Sequence, residues 1–159
     1  MAKTPLKNPG VHFPPPLLFI AGMLGGWAIQ QVQSAPVSAI LPAPVRVMTG
    51  WAIVVAGVGI LAWALLTFWK IRTGIYPNQP ANQIVAHGPF RFSRNPMYVA
   101  MTALTIGVSL LSNIGWILVF IPFILFALTM LVIRREEAYL TDAFGESYAQ
   151  YCARVRRWI

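Results

Sequence analysis

Residues 47–69 read VMTGWAIVVAGVGILAWALLTFW, 23 positions without one charged side chain. A helix rises about 1.5 Å per residue, so this run spans the roughly 30 Å hydrocarbon core of a bilayer. Arg46 and Lys70 bracket it. Working outward, three further apolar runs cover about residues 17–32, 96–111 and 114–133. The pattern predicts an all-α, polytopic membrane helical bundle of about four transmembrane helices, in a single domain of residues 1–159. Composition agrees: 57% of the 159 residues are hydrophobic and 10% are charged, against about 25% charged for an average soluble domain. A soluble fold of this size lacks the polar surface it would need.

The net charge of +8 raises nucleic acid as a partner, but the placement of the charges argues against it. Lys3, Lys7, Lys70, Arg72, Arg91, Arg94, Arg134, Arg135, Arg154, Arg156 and Arg157 all flank or lie outside apolar runs. No soluble basic face is available to track a phosphate backbone. With four spans, residues 1–16, 70–95 and 134–159 fall on one side and hold eleven of the twelve basic residues. Arg46, read as a loop residue, is alone on the other side. The positive-inside rule then places both termini in the cytoplasm, in a multi-pass protein of a bacterial inner membrane. Cys152 is the single cysteine, and His12 and His87 are the only histidines. No metal site is expected from so sparse a set. Pro36, directly after Ser34 and Ala35, argues against signal cleavage there.

Local features refine the spans. Gly22 and Gly26 stand one helical turn apart, a spacing that admits a close neighbour. Gly57-Val58-Gly59 reads the same way, since no strand precedes it and no phosphate-binding residues follow. Residues 34–45 hold three prolines and no charge, which predicts a loop. Asn95 before Pro96 predicts a helix start, Ser112-Asn113 a tight turn, and Pro122 a kink in the fourth span. Trp27, Trp51, Trp69 and Trp116 near span ends fit interfacial anchoring. Leu140, Phe144, Tyr148, Tyr151 and Val155 recur at helical spacing, giving a C-terminal amphipathic interfacial helix bent near Gly145. Such a helix would lie on the membrane surface or fold as a lid over the charged segments beside it.

Those segments carry the chemistry. His87-Gly88-Pro89-Phe90-Arg91-Phe92-Ser93-Arg94-Asn95-Pro96-Met97-Tyr98 packs cations, prolines and aromatics between two apolar runs. Arg134-Arg135-Glu136-Glu137 answers it at the end of the last run. A helical hairpin joins the two, so both emerge on one face and can close on each other.

Gly88-Pro89-Phe90-Arg91 through Arg94-Asn95-Pro96-Met97-Tyr98 resembles the G-P-Y-R-x-x-R-H-P-x-Y signature of the isoprenylcysteine carboxyl methyltransferase and phospholipid methyltransferase superfamily. Glu136-Glu137, Leu140, Phe144-Gly145, Tyr148, Tyr151 and Val155 resemble that superfamily's C-terminal element. The likeness covers about residues 68–158. It implies an integral membrane methyltransferase using S-adenosylmethionine, with cofactor-site segments at 82–98 and 134–158. Gln83, Ile84, Val85, Gly88, Phe90, Asn95, Pro96, Tyr98, Glu136 and Glu137 fall at cofactor-contacting positions. A prenylcysteine-like carboxylate, a phospholipid amine and a small thiol are the acceptor classes it implies.

The residues suit that chemistry independently. Carboxylates and aromatic faces complement a sulfonium cation, and a glutamate accepts hydrogen bonds from ammonium or hydroxyl groups. Arg94, Arg134 and Arg135 are candidates for a substrate carboxylate or phosphate. Where the signature carries His, this chain has Asn95, which cannot take a proton, and no catalytic base is assigned. Glu136 and Glu137 could instead neutralise Arg134 and Arg135, and Asn95 could be a plain helix cap. The rival from another class is a small non-enzymatic membrane subunit that binds anionic lipid or a partner helix.

Overall fold

The structure, a computed structural model, describes residues 10–11, 13–71 and 84–159. Gln83 lies outside the described residues. All regular elements among them are helical. Helix α1 spans Pro15–Val32 and α2 spans Ala43–Ile71; α3 is Pro96–Ser112, α4 Gly115–Leu128, α5 Arg134–Phe144 and α6 Glu146–Arg154. Helices α2 and α4 each pack on α3, and α1 packs mainly on α4, so the spatial order is α2, α3, α4, α1.

Among the described residues, two helices are long and apolar enough to cross a membrane: Ala43–Lys70, and the continuous helix Gly115–Phe144. The latter is apolar through Ile133 and charged from Arg134 onward. Pro96–Ser112 is a shorter apolar helix. Helix α2 begins at Ala43 rather than Val47. Pro44 falls in its first turn, where a missing N–H costs nothing. Arg46 is therefore a helical residue, not a loop residue. Its guanidinium donates to the carbonyls of Leu110 and, at 3.1 Å, Leu111. These belong to the last turn of α3, where carbonyls lack intrahelical partners and a cation is favourable.

The end of the bundle away from the charged segments is closed by the α3–α4 turn. Asn113 takes the left-handed conformation at φ 62°, as a helix C-terminus commonly requires. Its side chain accepts from Ser38 N at 2.8 Å and donates to Ser38 Oγ at 3.1 Å. Gly115 N donates to Ala35 O at 2.8 Å, and Trp116 Nε1 to Gln33 O at 2.7 Å. The loop after α1 contains a short 3₁₀ turn at Val37–Ala39. These bonds pin it to the turn, and Trp116 is held by the protein itself.

Pro122 lies inside α4, and the departure from α geometry comes later. Thr129–Ile133 is wound as a π-helix, with Arg134 N–H reaching Thr129 O five residues back. Sequence periodicity carried no sign of this. The expected break at Gly145 is present: Gly145 has φ 49° and separates α5 from α6.

Close approach at glycine governs the packing. A Cβ on Gly22 would collide with Ile124 Cδ1, and one on Gly26 would fall 2.8 Å from the backbone nitrogen of Ile117. The α1 glycine pair thus admits the close neighbour that the spacing predicts, and that neighbour is α4. Gly57 meets Leu104 and the Ala100 carbonyl, whereas Gly59 has open space. Among the described residues, only the first glycine of that pair serves packing. Gly26→Ala should destabilise by about 1–3 kcal/mol, because backbone cannot yield as a side chain can. Gly59→Ala should stabilise by about 0.5–1 kcal/mol through helix propensity. Thermal unfolding of the detergent-solubilised variants measures both, and equal melting shifts would contradict the packing assigned to Gly26.

Candidate functional site

The segment leading into α3 is clasped on two sides. Gly88, at φ +61°, opens a 3₁₀ turn over Gly88–Arg91. A Cβ there would stand 2.7 Å from Thr67 Oγ1, so the turn leans directly on α2. Phe90 is buried with Val85 and Ala64 and meets Phe68 edge-on at 4.9 Å. On the other side, Ile84 packs against the Tyr148, Tyr151 and Val155 cluster, which Leu140, Phe144 and Cys152 extend. Tyr151 Oη donates to Phe90 O at 2.7 Å. Burial pushes the Tyr151 phenol up to about 12, so it stays a donor at neutral pH. The amphipathic face of α5 and α6 therefore folds onto the turn, which is the lid arrangement.

At the start of α3 the capping pattern is unusual. Asn95 occupies the N-cap position, yet its side chain makes no cap bond. It donates instead to Arg157 O at 2.9 Å, while Ser93 Oγ accepts from Asn95 N at 3.0 Å. The plain-cap reading of Asn95 is thereby replaced: the amide ties α3 to the C-terminal tail. Pro96 follows, buried, as the first helical residue. Tyr98 is buried and donates through Oη to Glu136 Oε1 at 2.9 Å. This bond joins the two charged segments.

The adjacent acids differ sharply. Glu137 accepts a two-pronged bond from Arg157, Nε to Oε1 at 2.9 Å and Nη2 to Oε2 at 2.7 Å. Arg94 Nη2 lies 3.4 Å from the same carboxylate. Those hydrogen bonds to Glu137 hold the Arg157 guanidinium more firmly protonated. Among the described residues, Glu136 meets only the neutral Tyr98 hydroxyl. Neither acid pairs with Arg134 or Arg135 among the described residues, so the local neutralisation read from their adjacency is not what forms. Arg134 is exposed, and Arg135 donates to Gly10 O at 3.0 Å. Beside Gly10, Val11 is buried in the cluster of Phe19, Tyr98, Ile124, Leu128, Val132 and Ile133.

The structure thus brings together Ile84, Val85, Gly88, Phe90, Arg94, Asn95, Pro96, Tyr98, Glu136 and Glu137, and leaves Arg134 and Arg135 at the rim. Sequence reading missed Arg157, the Cys152 thiol beside the Arg94 guanidinium, and Trp158 packed on the cluster of Tyr98 and Val132. In the sequence Arg157 reads only as a topological charge. The usable signal was the scarcity of acid: the chain has four acidic residues for twelve basic ones, so each carboxylate was open to a cation from any segment.

A family model described as phospholipid methyltransferase matches residues 45–147. The chain belongs to that family. Comparison with curated proteins and with solved structures gives no match. The phospholipid methyltransferase match runs from the first turn of α2 into α6, so it contains both charged segments and the hairpin between them. It stops short of Arg157 and the tail. The family is one of methyltransferases, and with its long apolar helices the chain is a membrane member of it.

Tyr151→Phe should destabilise by about 1–3 kcal/mol, the cost of leaving the buried Phe90 carbonyl unpaired. Thermal unfolding in detergent checks this, and a melting temperature equal to that of the parent would mean the bond contributes nothing.

Proposed function

We propose that the chain transfers a methyl group from S-adenosylmethionine to a lipophilic or amphiphilic acceptor at the cytoplasmic face of an inner membrane. In this reading all 159 residues form one domain, α1 to α4 are four spans, and both termini are cytoplasmic. The pairing of Tyr98 with Glu136 carries the proposal. It joins the two segments that resemble the superfamily's motifs, and it leaves one half-buried carboxylate beside a phenol with no cation among the described residues. A buried carboxylate without a cationic partner is costly, and a cationic ligand would relieve that cost.

The residues fit the cofactor on that ground. Glu136 would accept hydrogen bonds from its ammonium or ribose hydroxyls, and Tyr98 would fix the carboxylate's orientation. Ile84, Gly88 and Asn95 would line the site, with Gln83 the corresponding residue outside the described ones. Val85, Phe90 and Pro96 would shape it from beneath through their packing. Glu137, occupied by two guanidinium groups, would act by holding Arg94 and Arg157 in place. When bound, S-adenosylmethionine supplies a methyl group activated by the neighbouring sulfonium. The chain's part is positioning, worth up to about 7–11 kcal/mol in favourable cases, together with exclusion of water by the folded-over α5 and α6. Asn95 holds the tail and takes no proton. Arg134 and Arg135, at the rim, would meet an acidic group on the acceptor.

Calorimetry with S-adenosylhomocysteine on detergent-solubilised protein tests the reading. The parent should bind saturably. Glu136→Gln should weaken binding about tenfold to a hundredfold, since hydrogen bonds to charged groups contribute about 1.5–3 kcal/mol. Undiminished binding in that variant would refute the role of Glu136; no binding by the parent would favour a non-enzymatic subunit. A labelled-methyl assay over a prenylcysteine-like carboxylate, a phospholipid amine and a small thiol then identifies the acceptor.

A further inference from the structure

We infer that Arg157 is a positioning residue for the site, latching residues 155–158 as a strap across the start of α3. The inference rests on the proposed cofactor site for its functional consequence, though not for the latch itself. It begins from the division between the two glutamates. Glu137 is saturated by the fork of Arg157 and by Arg94, whereas Glu136 is left to Tyr98.

The strap is fastened by backbone as well as by charge. Arg156 O accepts from Arg94 N at 2.9 Å. Arg157 O accepts from Asn95 Nδ2 at 2.9 Å and from Ser93 Oγ at 3.4 Å. Val155, before these bonds, is buried in the cluster of Tyr148 and Tyr151. Trp158, after them, packs on the cluster that holds Tyr98, Val132 and Ile133. Of these four consecutive residues, the middle two bind the 93–95 segment and the outer two enter separate apolar clusters.

The fork itself is placed to open. The Arg157 side chain is 39% exposed against 19% for Glu137. An ion pair that open to water contributes little to global stability. Its effect is local: it holds a short segment whose Arg156 and Arg157 carbonyls accept bonds from the residues just before α3. Release of Arg157 would leave the Glu137 carboxylate to Arg94 alone among the described residues, so that neither group is held in its present orientation. It would also loosen Arg94 and Asn95 together. Arg157 therefore acts through Glu137 and the turn, without contact with ligand. It lies beyond the residues that the family model matches.

The test uses the intact protein in detergent with four variants: Arg157→Ala, Arg157→Lys, Glu137→Gln, and Arg157→Ala combined with Glu137→Gln. Hydrogen exchange reads the strap, and calorimetry with S-adenosylhomocysteine reads the site. Arg157→Ala should raise exchange at 93–95 and 155–158 while α1 to α4 stay protected. It should weaken ligand binding on the order of tenfold, the usual scale of coupling between sites. Lysine should recover part of both effects, since it restores the charge but not the fork. The double variant should be no weaker than the worse single one, because both changes break one contact. In turnover, the apparent KM for the donor should rise while that for the acceptor is unchanged.

Unchanged exchange in Arg157→Ala, or penalties that add in the double variant, would overturn the latch. Protection lost throughout the bundle would overturn it as well, by making Arg157 a general stability residue. If the parent binds no S-adenosylhomocysteine, the proposed function fails. Exchange still decides whether the strap is latched.

Discussion

Three stretches distant in sequence meet at the Glu137 carboxylate: the turn before α3 through Arg94, the first turn of α5, and the tail through Arg157. The bundle itself is built by α2, α3, α4 and α1 lying side by side, and these three stretches meet beyond its end. The ionic junction joins them at one carboxylate, beside the apolar clusters and the Tyr98–Glu136 and Tyr151–Phe90 bonds that also hold the bundle's end. Its two arginines contribute differently. Arg94 is largely shielded while Arg157 is substantially exposed, so one contact is a fixture and the other is exchangeable with water. Removal of a partner from a shielded pair leaves an uncompensated charge, a larger effect than loss of the pair's own attraction.

The apolar part of the molecule obeys a different constraint. Where hydrocarbon replaces water, peptide groups must find partners within the chain, and the helix ends are the exposed points. At the end remote from the charged segments, Arg46 meets the last carbonyls of α3, and the residue pairs Asn113 with Ser38 and Gly115 with Ala35 close the connections. Within the bundle, glycine at Gly22, Gly26, Gly57 and Gly107 lets the side chains or backbone of a neighbouring helix come close. The result is a scaffold whose rigid parts converge on the end that carries ionisable groups.

Much of this was legible from residue order. Uncharged length gave α2, the Gly22 and Gly26 spacing gave a close neighbour for α1 without saying which, and Asn95-Pro96 gave the start of α3. Ser112-Asn113 gave the turn, and the two charged motifs do meet. What could not be read has a common physical cause: it depends on pairing across space, without local periodicity. Arg46 looks like a loop charge until α3 ends beside it. Asn95 looks like a cap until the tail supplies a carbonyl. Glu137 could have been neutralised by its neighbours Arg134 and Arg135, but these extend elsewhere, Arg135 to the Gly10 carbonyl. The start of α2 was misjudged because Pro44 suggested a loop, although a first helical turn tolerates proline.

The π-helical stretch at Thr129–Ile133 has a consequence for how α5 is aimed. Successive residues of an α-helix advance by about 100° around its axis, so absorbing one extra residue in a wider turn rotates all that follows by about that angle. A helical-wheel projection run unbroken from Gly115 to Phe144 would consequently assign Glu136 and Glu137 to the wrong azimuth. The face that α4 offers to α1 and the bearing of the two acids are set separately, like two sections of a shaft joined by a keyed coupling. A chain shortened by one residue within that stretch would retain every acid and arginine of the junction, yet turn the acids toward different neighbours.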